Sequence, residues 1–302
     1  MPVIDAHVHL YPPELNRDPA GWAAHAGEAH WSQLCTRQRR DGRPVQGFSS
    51  VEQLLREMDS AGIARAVLLG WYWEKPETCA WHNRFYAACI REHPDRLTAF
   101  ATVHPAAGHP AILTEIRRAR DEGLTGLGEL SPHSQGYSTD DPVFREALAL
   151  ADELRLPVNF HVTDPASKNS PGRIETPLAD FARLAREFPH TTFILSHLGG
   201  LLPLVDPSAV GLPNLFYDTA AFPLIYEPGV IRRVIDVVGA ERVLFGSDYP
   251  LILFPREETE PGIARFLAQV SETKLTAAER AALLNDNAVR LLCLSSGKLS
   301  RG

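Results

Sequence analysis

Short apolar runs recur along the chain, separated by stretches with a helical spacing of apolar residues. The first run, Val3-Ile-Asp-Ala-His-Val8, has strand character, and Tyr11-Pro-Pro13 stops it. Ser50-Val-Glu-Gln53 is a capping-box pattern. It predicts a helix with Val51, Leu54, Leu55 and Met58 on one face and Gly62 as its stop. Ala66-Val-Leu-Leu69 reads as a buried parallel strand. Helices are then expected over 77–93, 110–122, 142–155, 178–188 and 228–238. Strands are expected over 97–103, 126–130, 157–162, 192–198, 215–219 and 242–249. Two final helices, about 260–270 and 277–292, close the pattern, the second with its own capping box, Thr276-Ala-Ala-Glu279.

Eight strands at a mean spacing of roughly 34 residues are what a (β/α)8 barrel requires. An open doubly wound sheet usually has fewer strands and often a glycine-rich first turn. The first turn here is rich in histidine and proline instead. The predicted fold class is therefore α/β, a (β/α)8 TIM barrel, as one domain over 1–302. The exception is an irregular insertion or lid at about 11–50. Its two tryptophans, Trp22 and Trp31, imply that it packs against something. Its basic run, Arg37-Gln-Arg-Arg40, reads as a solvated turn in preference to a contact with an anionic substrate.

Composition narrows the function classes. Hydrophobic residues make up 44% of the chain, enough for a sizeable core. No apolar run approaches the ~20 residues of a membrane helix, and no signal-like segment opens the chain. Cys35, Cys79, Cys89 and Cys293 form no C-x-x-C motif and read as reduced thiols of a cytoplasmic protein. A net charge of −7 disfavours nucleic-acid binding. The expected partner is a small molecule, with a homodimer left open.

The candidate chemistry lies at the strand ends. His7 and His9 are two residues apart on the first strand, so their imidazoles leave from one face. Alone, such a pair is weak. Barrel active sites, however, are built where strands end and βα loops begin. That position supplies Glu129 on the fourth strand, His161 on the fifth, His197 on the sixth and Asp248 on the eighth. Each has a structural reading of its own, as a core histidine, a buried ion-pair partner or a turn aspartate. Together they make a rim of metal-capable groups. Imidazole and carboxylate donors suit a divalent ion, with Zn the default and Mn, Fe or Ni open.

Several motifs resemble the amidohydrolase superfamily, in particular the amidohydrolase-2 branch related to aminocarboxymuconate-semialdehyde decarboxylase. They are Ile4-Asp-Ala-His-Val-His9, His161 after Val158-Asn-Phe, Ser196-His-Leu-Gly-Gly200, Phe245-Gly-Ser-Asp-Tyr-Pro250 and Leu284-Asn-Asp-Asn-Ala-Val-Arg-Leu-Leu292. By that resemblance His7, His9, His161 and Asp248 would hold the metal, and His197 would face the substrate as acid–base or electrophilic group. Gly126-Leu-Gly-Glu129 looks more like the fourth-strand glutamate of TatD-type hydrolases, which bridges two metals. The site is thus expected to hold one or two ions, with Glu129 within it.

Two enzyme readings follow. The first is a metal-dependent hydrolase of a small carboxylic amide, lactone or ester, in which metal-activated water attacks and Asp248 shuttles the proton. Glu129 favours it. The alternative is non-oxidative decarboxylation of a small unsaturated or aromatic acid. A non-catalytic binding barrel is disfavoured by the intact His197 and Asp248. Substrate contacts are sought in Trp71-Tyr-Trp73, Lys75, His133, Tyr137, Lys168, Arg173, Phe254 and Arg256, whose aromatic and cationic character suits a small, partly apolar acid.

Overall fold

The computed structural model describes residues 1–292, so the Cys293 thiol lies outside the described residues. Eight strands form the ring: β1 (Val3–Val8), β2 (Ile63–Leu68), β3 (Leu97–Ala99), β4 (Leu127–Leu130), β5 (Val158–Phe160), β6 (Phe193–Leu195), β7 (Leu215–Asp218) and β8 (Val243–Leu244). All pairings are parallel, β1 to β3 in one group and β4 to β8 in the other. Parallel bridges Ala101–Leu127 and Val8–Tyr249 join the groups at both seams. The sheet thereby closes into the expected (β/α)8 barrel. No helix among the described residues is long and apolar enough to cross a membrane.

The barrel interior is filled by Ile4, Ala6, Val67, Leu69, Phe100, Ile194, Phe216 and Leu244, and Ala288 and Leu292 of the last helical segment pack on them. Val8, Leu68, Ala99, Phe160, Leu195 and Phe245 belong instead to the layer between strands and helices. Ile4 and Ala6 point inward but Val8 does not, although strict alternation would put all three on one face. The β1–β2 register shifts between Asp5 and Val8. That irregularity turns His7 and His9 toward the interior, where the first half of the strand had placed Ile4 and Ala6.

Several expected limits need correction. The eighth strand, expected over 242–249, pairs with β7 only at Tyr217–Val243 and Asp218–Leu244. Beyond these, the Phe245 carbonyl accepts from the Ala6 amide at 2.8 Å, and the Asp248 amide donates to the His7 carbonyl at 2.9 Å. Asp248 itself has φ 66°, a left-handed kink beyond the end of β8 that turns its carboxyl into the mouth. The helix expected over 260–270 starts later, at Ala264–Ser271. The insertion is not irregular: it holds helices Pro13–Arg17, Pro19–Ala26 and Ala29–Cys35. Two of them begin at a proline, which suits the first helical position. Packing holds them, as the tryptophans imply: Tyr11, Leu15, Trp31 and Cys35 are buried with Trp71, Tyr72 and Trp73 of the loop after β2.

At the mouth, β2 and β4 approach each other directly. The Gly70 amide donates to the Gly128 carbonyl at 2.7 Å, and the Glu129 amide donates to the Gly70 carbonyl at 2.6 Å. Gly128 has φ 134°, and a Cβ there would lie 2.6 Å from the Asn159 carbonyl oxygen. Only glycine tolerates both the dihedral and the contact. Gly128→Ala is expected to destabilise the fold by about 2 kcal/mol or more. Denaturant unfolding monitored by tryptophan fluorescence checks this, and an unchanged midpoint would contradict it.

Candidate metal and substrate site

His7 and His9 sit side by side on β1 with their Nε2 atoms 3.0 Å apart. Each is oriented through its other nitrogen. His9 Nδ1–H donates to the Leu69 carbonyl at 3.0 Å, and His7 Nδ1–H donates to the Asp218 carboxylate at 2.9 Å. Both Nε2 atoms are thus directed at one spot. Asp248 Oδ1 lies 3.6 Å from His7 Nε2 and 3.5 Å from His9 Nε2, and Glu129 Oε2 lies 3.7 Å from His9 Nε2. Two donors bound to one ion at about 2.1 Å, at tetrahedral or octahedral angles, are roughly 3.0–3.5 Å apart. The set has close to that spacing, and its imidazole and carboxylate donors suit a divalent transition metal.

A second group shares the same glutamate. Glu129 Oε1 is 3.3 Å from His161 Nδ1, and His161 Nδ1 is 3.2 Å from His197 Nε2. The predicted residues therefore gather at one barrel mouth in two overlapping triads, His7–His9–Glu129 and Glu129–His161–His197. His197 Nδ1–H donates to the Ala220 carbonyl at 3.0 Å, which leaves Nε2 as an acceptor toward the site. His197 begins a left-handed turn: His197, Leu198, Gly199, Gly200 and Leu201 all have φ between 53° and 62°. Such a turn costs non-glycine residues roughly 1–2 kcal/mol each, and it persists because Leu198 is fully buried.

The electrostatics follow from packing so many ionisable groups out of solvent. Burial opposes charge on His7, yet the Asp218 carboxylate raises its pKa to about 10. Burial, helped by the His7 charge, lowers His9 to about 3. Burial and the neighbouring His161 lower His197 to about 4. Burial would raise Glu129, but His161, His7 and His9 hold it well below the usual carboxylate range. Asp248 is pushed up to about 8, by burial above all, with Glu129 and Asp218 adding to it against the opposing pull of His7. The protein groups alone thus share protons that a divalent cation would displace.

Asp218 escaped the sequence reading. It closes β7 at a strand end like the others, so the same positional rule would have found it. Its Oδ2 accepts from His7, and its Oδ1 accepts from the amides of His197 and Ala220 at 3.1 and 3.0 Å. One buried carboxylate therefore orients residues of both triads.

Above these groups opens a cavity of about 230 Å³. Its floor includes His161, His197 and Asp248, and Trp71 and Tyr72 form an aromatic wall. Their rings stack at 4.4 Å and 24°, Trp71 lies 5.2 Å from His9, and Tyr72 lies 4.9 Å from His161. Among the substrate-contact candidates, Trp71, Tyr72, Lys168 and Arg173 line the cavity. Others do not. Trp73 donates to His82, His133 is paired with Asp180, Tyr137 with Gln135, and Phe254 with Arg265. Lys75 precedes the helix Pro76–Glu92, and neither it nor Arg256 reaches the cavity. Arg37, read from sequence as part of a solvated turn, is in the cavity wall together with Gln46.

The comparisons bear on the chemistry. A 6-methylsalicylic acid decarboxylase from Penicillium expansum is 24% identical over 297 residues, with 83% of this chain and 85% of that protein covered. A 2,6-dihydroxybenzoate decarboxylase from Rhizobium superposes with a TM-score of 0.67 at 20% identity, covering 97% of this chain and 99% of its own. A 5-carboxyvanillate decarboxylase from Novosphingobium aromaticivorans, complexed with manganese and 4-hydroxy-3-methoxy-5-nitrobenzoic acid, gives 0.75 at 16% identity, covering 97% and 96%. The Penicillium expansum relative overturns the expectation of hydrolysis, because it is a decarboxylase and not a hydrolase of amides, lactones or esters. Glu129 misled that expectation: a glutamate among metal-capable histidines is compatible with either reaction. The family model described as Amidohydrolase matches residues 4–294, and the chain belongs to that family.

Proposed function

We propose that this protein is a metal-dependent decarboxylase that removes, without oxidation, the carboxylate of a small aromatic or unsaturated acid. The observation that carries this reading is the Trp71–Tyr72 wall running from the cavity to His9 and His161. A flat ring fits between that wall and the floor, with its carboxylate against the histidines and carboxylates below. A cavity of about 230 Å³ has room for one substituted ring. The decarboxylase relatives, matched over most of their length, support the same chemistry.

His7, His9, Glu129, His161 and Asp248 would hold the ion, with zinc and manganese both suited to the donor set. When bound, a divalent cation there supplies Lewis acidity to the substrate oxygens. The residues do the rest. Asp248, in the cavity floor, is the proton donor. Its Oδ1 faces His7 and His9, where the ion would be held, and its Oδ2 faces His197, so Oδ2 is the oxygen that would carry the proton, a form that a nearby substrate carboxylate favours. It gives its proton to the carbon that bears the carboxylate. The new C–H bond forms, the C–C bond breaks, its electron pair returns to the ring system, and carbon dioxide leaves. Solvent then reprotonates Asp248. His197, held neutral with Nε2 toward the site, accepts a hydrogen bond from a substrate hydroxyl and orients the ring.

In heavy water, turnover of a hydroxybenzoate is expected to release one carbon dioxide per substrate and leave deuterium on the vacated carbon. Product that carries solvent oxygen without release of carbon dioxide would sink this reading. Asp248→Asn should slow turnover by about 10²-fold or more, with metal content measured alongside. His197→Ala should keep the metal and lose turnover by a similar factor. Asp218→Asn leaves His7 without its orienting anion and should weaken metal affinity by about 10–100-fold, as read by titration against a metallochromic chelator. Metal uptake near pH 7 should release roughly one to two protons, mainly from His7 and Asp248, since both keep protons at that pH until a cation arrives. Calorimetry in two buffers of different ionisation enthalpy counts them.

A further inference from the structure

Behind the site runs a buried line of hydrogen bonds that the proposed chemistry does not use. His82 and Tyr86 lie one turn apart on the helix Pro76–Glu92, their rings 4.3 Å apart, and neither has contact with solvent. The Tyr86 hydroxyl reaches the ends of β1 and β2 at once. It accepts from the Leu10 amide at 3.2 Å and donates to the Leu69 carbonyl at 2.8 Å. Leu10 follows His9 in the chain, and the Leu69 carbonyl is the acceptor of His9 Nδ1–H at 3.0 Å. One phenol thus touches the backbone beside His9 and the carbonyl that orients its ring. That carbonyl lies just past the last residue of β2, Leu68, where the loop begins, so a bond from the helix behind it fixes its direction.

The protons of this line have a single order. The Leu10 carbonyl also lies 3.2 Å from the Tyr86 hydroxyl, so the one phenolic proton has two acceptors within reach. His82 decides between them. The Trp73 indole is a donor only, and its Nε1–H is given to His82 Nδ1 at 2.9 Å. Burial keeps the His82 ring neutral. Its own proton is therefore on Nε2 and goes to the Leu10 carbonyl at 2.7 Å. With that carbonyl served by the shorter bond, the phenolic proton goes to Leu69. From Trp73 to His9 every donor then has an acceptor. The line starts in the loop that carries the aromatic wall, since the Trp73 amide donates to the Trp71 carbonyl at 3.0 Å.

We propose that Tyr86 is a positioning residue for His9: through the Leu69 carbonyl that both bind, it holds the imidazole in the tautomer and direction that leave Nε2 facing the site, with its own proton steered there by His82 and Trp73. The consequence for metal binding rests on the reading of His9 as a ligand. Without the hydroxyl, the buried Leu10 amide loses its acceptor and the Leu69 carbonyl keeps His9 as its one side-chain donor. Loss of such an outer partner of a liganding histidine typically weakens metal affinity by about 10–100-fold.

The test uses Tyr86→Phe, which removes one oxygen, and Trp73→Phe, which keeps the hydroxyl and frees the His82 tautomer. Long-range 1H–15N spectra of metal-free, histidine-labelled protein, assigned with His9→Gln and His82→Gln, are expected to show His9 protonated on Nδ1 and His82 on Nε2. In Tyr86→Phe the His9 signals should move toward a mixture of tautomers, and in Trp73→Phe those of His82 should do so. Zinc affinity, titrated against a chelator, should fall by ~10-fold or more in Tyr86→Phe and by less in Trp73→Phe. A merely structural role lowers the metal-free and zinc-loaded unfolding midpoints equally, whereas a positioning role narrows the gap between them, because that gap reports affinity. His9 protonated on Nε2 in the wild type, or an undiminished zinc affinity and gap in Tyr86→Phe, would overturn the role. Should Tyr86→Phe not fold, a Trp73→Phe protein equal to wild type in both spectra and affinity overturns it. A wild type that takes up no divalent ion, yet shows the expected His9 tautomer and its loss in Tyr86→Phe, removes the metal reading alone.

Discussion

The hydrogen-bonded pair of His7 and Asp218 is the interaction on which the mouth of this barrel depends. It is 2.9 Å long, and neither side chain has appreciable contact with solvent. It fixes the ring orientation of His7 and so directs Nε2 at His9. It neutralises an imidazolium that the interior would otherwise expel, and removing one partner of such a buried pair costs about 3–5 kcal/mol. The same carboxylate receives the amide of His197, so both ends of the site are referred to one atom group on β7. The ring of strands brings these residues near one another, and this carboxylate sets their angles.

Much of this was legible in the chain. The alternation of apolar runs and helical stretches implied a barrel because parallel strands buried on both faces leave that pattern. The strand-end rule located His7, His9, Glu129, His161, His197 and Asp248, and the structure gathers all of them. The insertion was harder. Its helices Pro13–Arg17, Pro19–Ala26 and Ala29–Cys35 are too short to show a periodic face, and their stability comes from an aromatic cluster shared with a loop some 40 residues away. Arg37 looked like a solvated charge because exposure is a tertiary property. No local pattern states that the turn folds inward over a cavity.

The choice of reaction was not legible either, for a chemical reason. Hydrolysis and decarboxylation at such a site use the same donors and differ in whether the protein supplies a base for water or an acid for carbon. That difference is set by desolvation and by what the walls admit. In the proposed reading Asp248 and Tyr72 would carry it, one through its half-buried carboxyl and the other through the ring it offers to a flat substrate.

The seam between β8 and β1 has a bearing on how the molecule comes into being. The Asp5 carboxylate accepts from the Ser247 amide across 242 positions of chain, and β1 is held between its sequence neighbour β2 and the last strand of the ring. Contacts of such long range are slow to form because the intervening chain must first be ordered. During synthesis, His7 and His9 leave the ribosome long before Asp248 does. For that interval the first strand has an open edge on the side that β8 later covers. A chain at this stage presents an unpaired strand edge, and only the formation of β8 covers it.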